Sequence, residues 1–498
     1  MLSAEQVNCS RTLFRPTRFA EYCLGLLWFV IPSAASAFVA GDAHRLYATH
    51  QVQGGVVVTG NTLMAQSVVA PQVNAVLLDQ SAGDVRALPF DAELEAAYLF
   101  WSGSTTGRTD RTVDLTAADG TRFNDVAADR CVTVNNLGGF FYCRANVTDR
   151  LRDHGGPSRF NGTYFVGDLD ASPGRIQADG MCLDEFCQAK YAAWSLVLVY
   201  RSNSARTIRD VFIHDGFRNL DEDQNSAGID RFTIRGFDFP DGGDARLTFF
   251  GLEGDSFLGV PPQDTDPFEP CNTCFDYLEF NGTRLSDALN PPNNLFNSSS
   301  PGGFTLGMDL DTFNVSRLLM VGQTTASIEV GSGDGIVNRF NPQPAGGGES
   351  FFLGYVLLSV DRNAPNFSRD GTRLDIVPDQ ASPTERVVIT LRVSNEGTRD
   401  APNTRVTLRL PVGLTYLPGS IRVDNQDPVP GEELVSPLRD GFNLGNLRFQ
   451  GDNDRIITFR AAIDAGVQPG TRLTAQGQIT ADTLDVAVQT NQATVTVL

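Results

Sequence analysis

Four stretches of this chain are apolar on both sides of an extended backbone: "AAYLFWSGS" (Ala96 to Ser104), "YAAWSLVLVYRS" (Tyr191 to Ser202), "RLTFFGLEGDSF" (Arg246 to Phe257) and "GGESFFLGYVLLSVD" (Gly347 to Asp361). A strand that offers no polar face is stable only when both faces are covered, so these segments are expected as central strands under layers on each side. The 48 Gly and 26 Pro are spread along the chain and mark many turns between short strands. Helical periodicity is scarce; "VTDRLRDHG" (Val147 to Gly155) reads as one brief surface helix at most. The chain has 498 residues, more than a single core of ordinary size accommodates, so two or three domains are expected.

A different pattern begins after the polar stretch "DRNAPNFSRDG" (Asp361 to Gly371), which marks a boundary and a linker over residues 361–372. In "ERVVITLRVSNEG", Val387, Ile389, Leu391 and Val393 fall on one face, with Thr390 and Arg392 on the other. "TRVTLRL" sets Val406, Leu408 and Leu410 against Arg405, Thr407 and Arg409. "RIITFRAAI" groups Ile457, Phe459, Ala461 and Ile463, and the chain closes on Ala493, Val495 and Val497. Strands with one wet face predict an antiparallel sandwich over residues 373–498, held by packing alone because the segment has no Cys.

The phrases "ITLRVSNEGTRDAPNTRVTLRLPVGLTYLPGSIRVDN" and "FNLGNLRFQGDNDRIITFRAAI", with the closing "NQATVTV", resemble the conserved-repeat immunoglobulin-like modules of bacterial and archaeal surface proteins. The resemblance implies a stalk or spacer. The doubly apolar phrases of residues 38–360, with "VFIHDGF" and "NNLFNSSS", resemble the large N-terminal β-domain that accompanies such modules. That resemblance implies a jelly-roll-like sandwich, as one domain or two, with a conceivable division near Arg206 to Asp210. The expected fold is all-β: a large jelly-roll-like β-sandwich followed by an immunoglobulin-like β-sandwich.

Residues 1–37 read as an export signal: Arg11, Arg15 and Arg18, then the apolar run "CLGLLWFVI", then Pro32 and "SAASA" ending at Ala37. The run is too short to span a bilayer, and no later segment approaches the length of a transmembrane helix. An extracellular or cell-surface location follows as the expectation. Residues 38–372 carry 24 basic and 42 acidic residues, and residues 373–498 carry 12 and 15. Such a field disfavours nucleic acid and anionic membranes and is better suited to cations, cationic surfaces or plain solubility. The expected partner is an unidentified surface ligand, glycan or protein.

Six cysteines follow Ala37 as three local pairs: Cys131 with Cys143, Cys182 with Cys187, and Cys271 with Cys274. An even count in an exported chain favours disulfides, and "CVTVNNLGGFFYC" reads as a hairpin that would close the first pair. Cross-pairing of the second and third pairs, or a four-Cys zinc site, stays open. Redox chemistry is disfavoured because no cation or strand-to-helix context surrounds "EPCNTCFDYLEF".

In "NLDEDQNSAGID", Asp221, Asp223 and Asn225 alternate and are candidate calcium ligands, although Ser226 and Phe232 break the helix-loop-helix calcium pattern. Asp264 with Asp266, and Asp168 with Asp170, are weaker versions; solvated Asx turns are the plain alternative at each. The four His residues, His44, His50, His154 and His214, form no HExxH pair, and "HRLYATH" spaces two imidazoles six apart. No nucleophile elbow or phosphate loop is present; "GSGDG" (Gly331 to Gly335) lacks the Lys and helix it would need. The only lysine, Lys190, precludes Lys-based isopeptide cross-linking within residues 373–498. The expectation is a secreted or surface structural and binding protein engaged in adhesion, surface-layer or matrix association, without catalysis. An extracellular carbohydrate-active hydrolase is the alternative, since paired carboxylates meet only in the fold.

Overall fold

All four doubly apolar stretches contribute strands to one nine-stranded antiparallel sheet. The computed structural model describes residues 40–69, 72–105, 107–134, 139–154, 160–172, 191–205, 207–221, 228–254, 276–332, 350–367, 371–427, 438, 441–449, 451–484 and 486–498. In chain order the sheet comprises β1 (Ala40–Thr62), β2 (Glu93–Ser104), β3 (Arg130–Val134), β4 (Phe140–Asn146), β5 (Ala192–Arg201), β6 (Ile208–Asp221), β7 (Ala245–Leu252), β8 (Met308–Asn314) and β9 (Ser350–Asp361). Their spatial order is β8-β7-β9-β6-β1-β5-β2-β4-β3.

Successive side chains of a strand point to opposite faces, and here the two faces feed different cores. On β2, Ala97, Leu99 and Trp101 enter one core, while Ala96, Tyr98 and Phe100 enter another. On β5, Trp194, Leu196 and Leu198 join the first, and Ala193, Val197 and Val199 the second. On β9, Phe351, Val356, Leu358 and Val360 enter a third core, whereas Phe352, Tyr355 and Leu357 share the second. That shared core is built from strands of both halves of the sheet, which face each other: the ring of Phe100 lies 4.6 Å from Tyr355 and that of Phe140 4.6 Å from Phe352.

The outer faces are covered by two small sheets. Gln80–Val85, Gly162–Gly167, Thr112–Thr116 and Arg122–Ala127 close the first core; Gly228–Arg235, Thr325–Ser332 and Asp276–Phe280 close the third. The result is an all-β sandwich four layers deep.

The two halves are joined through β1, whose residues 40–53 pair with β6 and residues 54–62 with β5. The change of partner falls at Gly54, where an added Cβ would lie 2.0 Å from the carbonyl oxygen of Tyr200, so any side chain there would push the strands apart. The chain passes from one half to the other between Arg201, which ends β5, and Ile208, which begins β6.

The C-terminal sandwich has its own core, drawn from residues 367–497. Val387, Ile389, Leu391, Val393, Val406, Leu408, Ile457, Phe459, Ala461, Ile463, Ala493, Val495 and Val497 are all buried, and Arg392, Arg405 and Arg409 are exposed. The boundary segment is tied to both sides. The N–H groups of Arg362 and Asn363 donate to the carbonyls of Ile208 and Asp238, while the carbonyls of Ala364 and Asn366 accept from the N–H groups of Thr398 and Glu396 and the Ala364 N–H donates to the Thr398 hydroxyl. Phe367 already belongs to the C-terminal core. Gly397 of the "VSNEG" turn is where the segment crosses: a Cβ there would sit 2.3 Å from the Ala364 oxygen and the Asn366 nitrogen.

Candidate functional site

Because β1 leaves β5 at Gly54, no described strand pairs with the other edge of its first half, and that edge fronts the ends of β2, β3 and β4. Two irregularities bend it. Between Asp42 and Arg45 two residues of β1 oppose the single Gly216, and Tyr47 is the extra residue between Leu46 and Ala48. A bulge re-aims the residue it carries, and Tyr47 turns toward Arg144 of β4, whose guanidinium carbon lies 3.5 Å from the ring centroid.

Arg144 and Arg130 stand directly opposite each other across β4 and β3, a like-charge pairing that is unfavourable by itself. Two features hold it. The first is Asp215 of β6, with its side chain 2 % exposed, 2.9 Å from Arg144 Nε and 3.2 Å from Arg130 Nη1. Burial holds the Asp215 carboxyl above its ordinary range, a rise that Arg144, the Tyr142 hydroxyl and Arg130 offset only in part. The second is the Cys131–Cys143 disulfide, which joins the neighbouring residues of the same two strands with Cα atoms 4.1 Å apart. Arg130 also pairs with Asp42.

Asp42, Arg45, Tyr47, Arg130, Arg144 and Asp215 line a cavity of about 370 Å³. Arg45 is exposed and makes no ion pair among the described residues. Three arginines against Asp42 and Asp215 leave a local positive excess in a chain whose formal charge is −20. Burial raises the Tyr47 phenol to about 12 against the opposing pull of Arg144, so it stays neutral and able to donate at physiological pH.

The Tyr47 ring meets Tyr98 edge-on at 5.2 Å, and beyond Tyr98 lies a second cavity of about 470 Å³ bordered by His50, Glu95 and the short helix Thr148–Arg152. His50 Nε2 is 2.9 Å from the Tyr98 hydroxyl, and burial lowers the imidazole's pKa, which keeps it neutral. Glu95 is held low by its hydrogen bond from Arg201, at 2.6 Å, and so is an ion at neutral pH, unsuited to proton donation. The arrangement is an aromatic ridge flanked by two polar hollows, one of them cationic.

The sequence-predicted residues are distributed differently. Cys131 and Cys143 are bonded to each other. Cys182, Cys187, Cys271 and Cys274 lie outside the described residues, as do Asp223 and Asn225 of the candidate calcium loop; Asp221 ends β6, and only its backbone is described. Asp264 and Asp266 also lie outside. The N–H of Asp170 donates to Asp110 Oδ2 at 2.7 Å, beside Asp168. "HRLYATH" divides its imidazoles: His44 Nδ1 is 2.7 Å from Asp230 Oδ2, on the far side from His50. That same phrase carries Arg45 and Tyr47, so the cleft was present in it, but the bulge that aims Tyr47 has no period-2 signature. Among the described residues no three His, Cys, Asp or Glu side chains group closely enough to hold a metal by themselves, and no described helix is long and apolar enough to cross a membrane.

No family model matches the chain, and no curated protein matches it. Among solved structures it is similar to a β-glucuronidase of Bacteroides uniformis, at 13% identity over 55% of this chain and 26% of that one, with a TM-score of 0.17. A β-glucuronidase of Bifidobacterium dentium complexed with coumarin-3-O-glucuronide gives 11% identity over 59% and 40%, with a TM-score of 0.14. The chain thus spans less than half the length of either glycosidase. The N-terminal domain of a Streptococcus gordonii adhesin gives 9% identity over 91% of this chain and 92% of that one, with a TM-score of 0.23. Identities and TM-scores this low place neither a site nor an activity.

Proposed function

We propose that this chain is a secreted or cell-surface binding protein that captures an acidic ligand in the Tyr47–Arg144 cleft, with residues 373–498 serving as a spacer. The observation that carries the reading is the pair of facing arginines beneath a stacked tyrosine, with the unpaired Arg45 lining the same cavity. Guanidinium groups recognise carboxylate or sulfate in a planar, forked geometry, and tyrosine faces stack on the apolar side of a sugar ring. A uronate-bearing or sulfated glycan combines both features. The disulfide beside the arginines suits a protein that folds in an oxidising compartment. A binding role is favoured over hydrolysis because Asp42, Asp215 and Glu95, carboxylates that border the two hollows, are already committed to arginines.

A glycan array run in parallel with uronate-bearing, sulfated and neutral oligosaccharides tests this. Binding to acidic glycans that weakens with salt is expected, and Arg45→Ala or Tyr47→Ala should each reduce affinity about tenfold, the equivalent of one well-placed contact. Equal capture of neutral glycans, or release of reducing ends from any of them, would overturn the reading.

A further inference from the structure

The third core contains a second polar site, remote in sequence from the cleft. Asp309 and Asp311 sit two apart on β8 and therefore on one face, and both are buried, at 0% and 3% exposure. The loop that follows residue 293 wraps this face. Asp276 accepts the N–H groups of Leu295 and Phe296, and Asp309 Oδ1 accepts those of Asn297 and Ser299, both at 3.0 Å. Each carboxylate thus holds two backbone N–H groups of the loop with one oxygen.

What remains is a set of buried oxygens with no hydrogen-bond partner: Asp309 Oδ2, Asp311 Oδ2, Asn294 Oδ1 and Asn297 Oδ1, with the Asn290 side chain as the one donor to the Asp311 carboxyl. Asn294 and Asn297 are 1% and 7% exposed. The Asn297 amide nitrogen donates to the carbonyls of Leu289 and Asn294, which turns its oxygen the other way. Gly254 lies against Asp309: a Cβ there would come within 2.8 Å of Oδ2. An orphaned buried acceptor costs about 1–3 kcal/mol, and more when charged, so four of them, two on β8 and two in the loop that covers it, call for a donor or a cation.

We propose that Asp309, Asp311, Asn294 and Asn297 form a Ca2+ site that fastens the loop over β8. Carboxylate and amide oxygens with main-chain carbonyls are hard ligands of the kind Ca2+ accepts at flexible coordination, whereas Zn2+ would need imidazole or thiolate and Mg2+ a stricter octahedron. Among the described residues, carboxylates alone do not group tightly enough to hold a metal, so in this proposal the amide oxygens complete the shell. Asp309 stands close enough to Asp311 and Asp276 to feel both carboxylates. A bound proton is the rival to a bound cation, and the site is independent of whatever occupies the cleft.

The full chain, stripped with chelator and titrated with CaCl2 alone by calorimetry and thermal unfolding, decides between them. One Ca2+ per chain and a midpoint raised by several degrees are expected, with MgCl2 giving a much smaller shift. Asp309→Asn should abolish the calcium response while leaving the calcium-free midpoint equal or higher, since the amide keeps the Oδ1 contacts and carries no ionisable group into the buried site; should that variant not fold, Asp311→Asn makes the same test at the neighbouring ligand. No heat and no shift in the parent chain up to 10 mM Ca2+ would overturn the proposal in favour of the proton. A calcium response that survives in a folded variant would overturn it too, by placing the ion elsewhere.

Discussion

The large region and the C-terminal sandwich are both antiparallel β structures with well-filled cores, yet they treat polar groups in opposite ways. Among the described residues, the large region buries His44, Asp210, His214, Asp215, Asp230, Glu253, Asp276, Asp309, Asp311 and Asp361. From Thr372 onward the buried polar residues are Thr372, Ser394, Asn395, Thr404 and Thr490, none of which carries a charge. Asn395 shows what such residues do: its amide donates to the carbonyls of Arg399 and Leu447 and accepts from the N–H groups of Asn366 and Gly397. It pins backbone and is fully satisfied. Buried charge is costly unless it is paired or used, so the region that carries it is the one where function is to be sought, and the other behaves as scaffold.

The comparison breaks first if the two halves of the large region are not one cooperative body. Phe352 lies in their shared core, 4.6 Å from Phe140, 4.9 Å from Phe217 and 6.3 Å from Tyr191. Phe352→Ala removes a ring from a site with no room to collapse, at a cost of about 3–5 kcal/mol. Hydrogen exchange should then accelerate on both β2 and β9 while strand Arg386–Ser394 of the C-terminal sandwich keeps its protection. Acceleration confined to β9 and its neighbours would mean that the halves fold separately.

That shared core also marks where sequence stopped being informative. The doubly apolar runs identified central strands because coverage on both faces is a local demand, and in the C-terminal sandwich alternation assigned nearly every inward residue, with Leu410 only partly buried. Pairing was another matter. The change of partner along β1 depends on Gly54 meeting Tyr200, a contact between residues 146 positions apart, and nothing local encodes it. The cleft escaped for the same reason: Arg130, Arg144 and Asp215 converge through register, and Tyr47 through a bulge. Asp309 and Asp311 are buried for a reason that is not local either: the loop after Asn293 covers their face of β8.

A titration sharpens the contrast at a smaller scale. His214 is buried against Phe232, 5.4 Å between ring centroids, and its Nδ1 finds no hydrogen-bond partner. Burial first, and then the His44 charge, lower its pKa to about 4, with Asp230 and Arg218 grouped around His44. With an unfolded value near 6.5, the unfolded chain takes up a proton that the folded one refuses between those limits, so stability is full above about pH 6.5 and falls as the pH drops toward 4. The loss amounts to about 3 kcal/mol at most. Denaturant unfolding at pH 7.5 and 4.5 should show it in the large region, and His214→Phe, which keeps the stacked ring without a titrating nitrogen, should reduce the slope. An unchanged slope would mean that the imidazole protonates freely in the fold.

The smallest effect is expected where the same chemistry sits on the wet face of the C-terminal sandwich. Arg392 Nη2 and Asp454 Oδ2 are 2.9 Å apart, as close as Arg144 and Asp215, but their side chains are 54% and 40% exposed. Water already solvates both groups, the Coulomb gain is screened, and two side chains must be held still; such pairs contribute about 0–1 kcal/mol. Arg392→Gln should therefore shift the denaturation midpoint barely beyond error. In the cleft, by contrast, removing a guanidinium from Asp215 leaves a charge at 2% exposure with only Arg130 to answer it, and breaking a buried pair costs several-fold more than an exposed one. Equal losses from Arg392→Gln and Arg144→Gln would show that burial does not separate the two regions, and the inference from buried charge to function would fail with it.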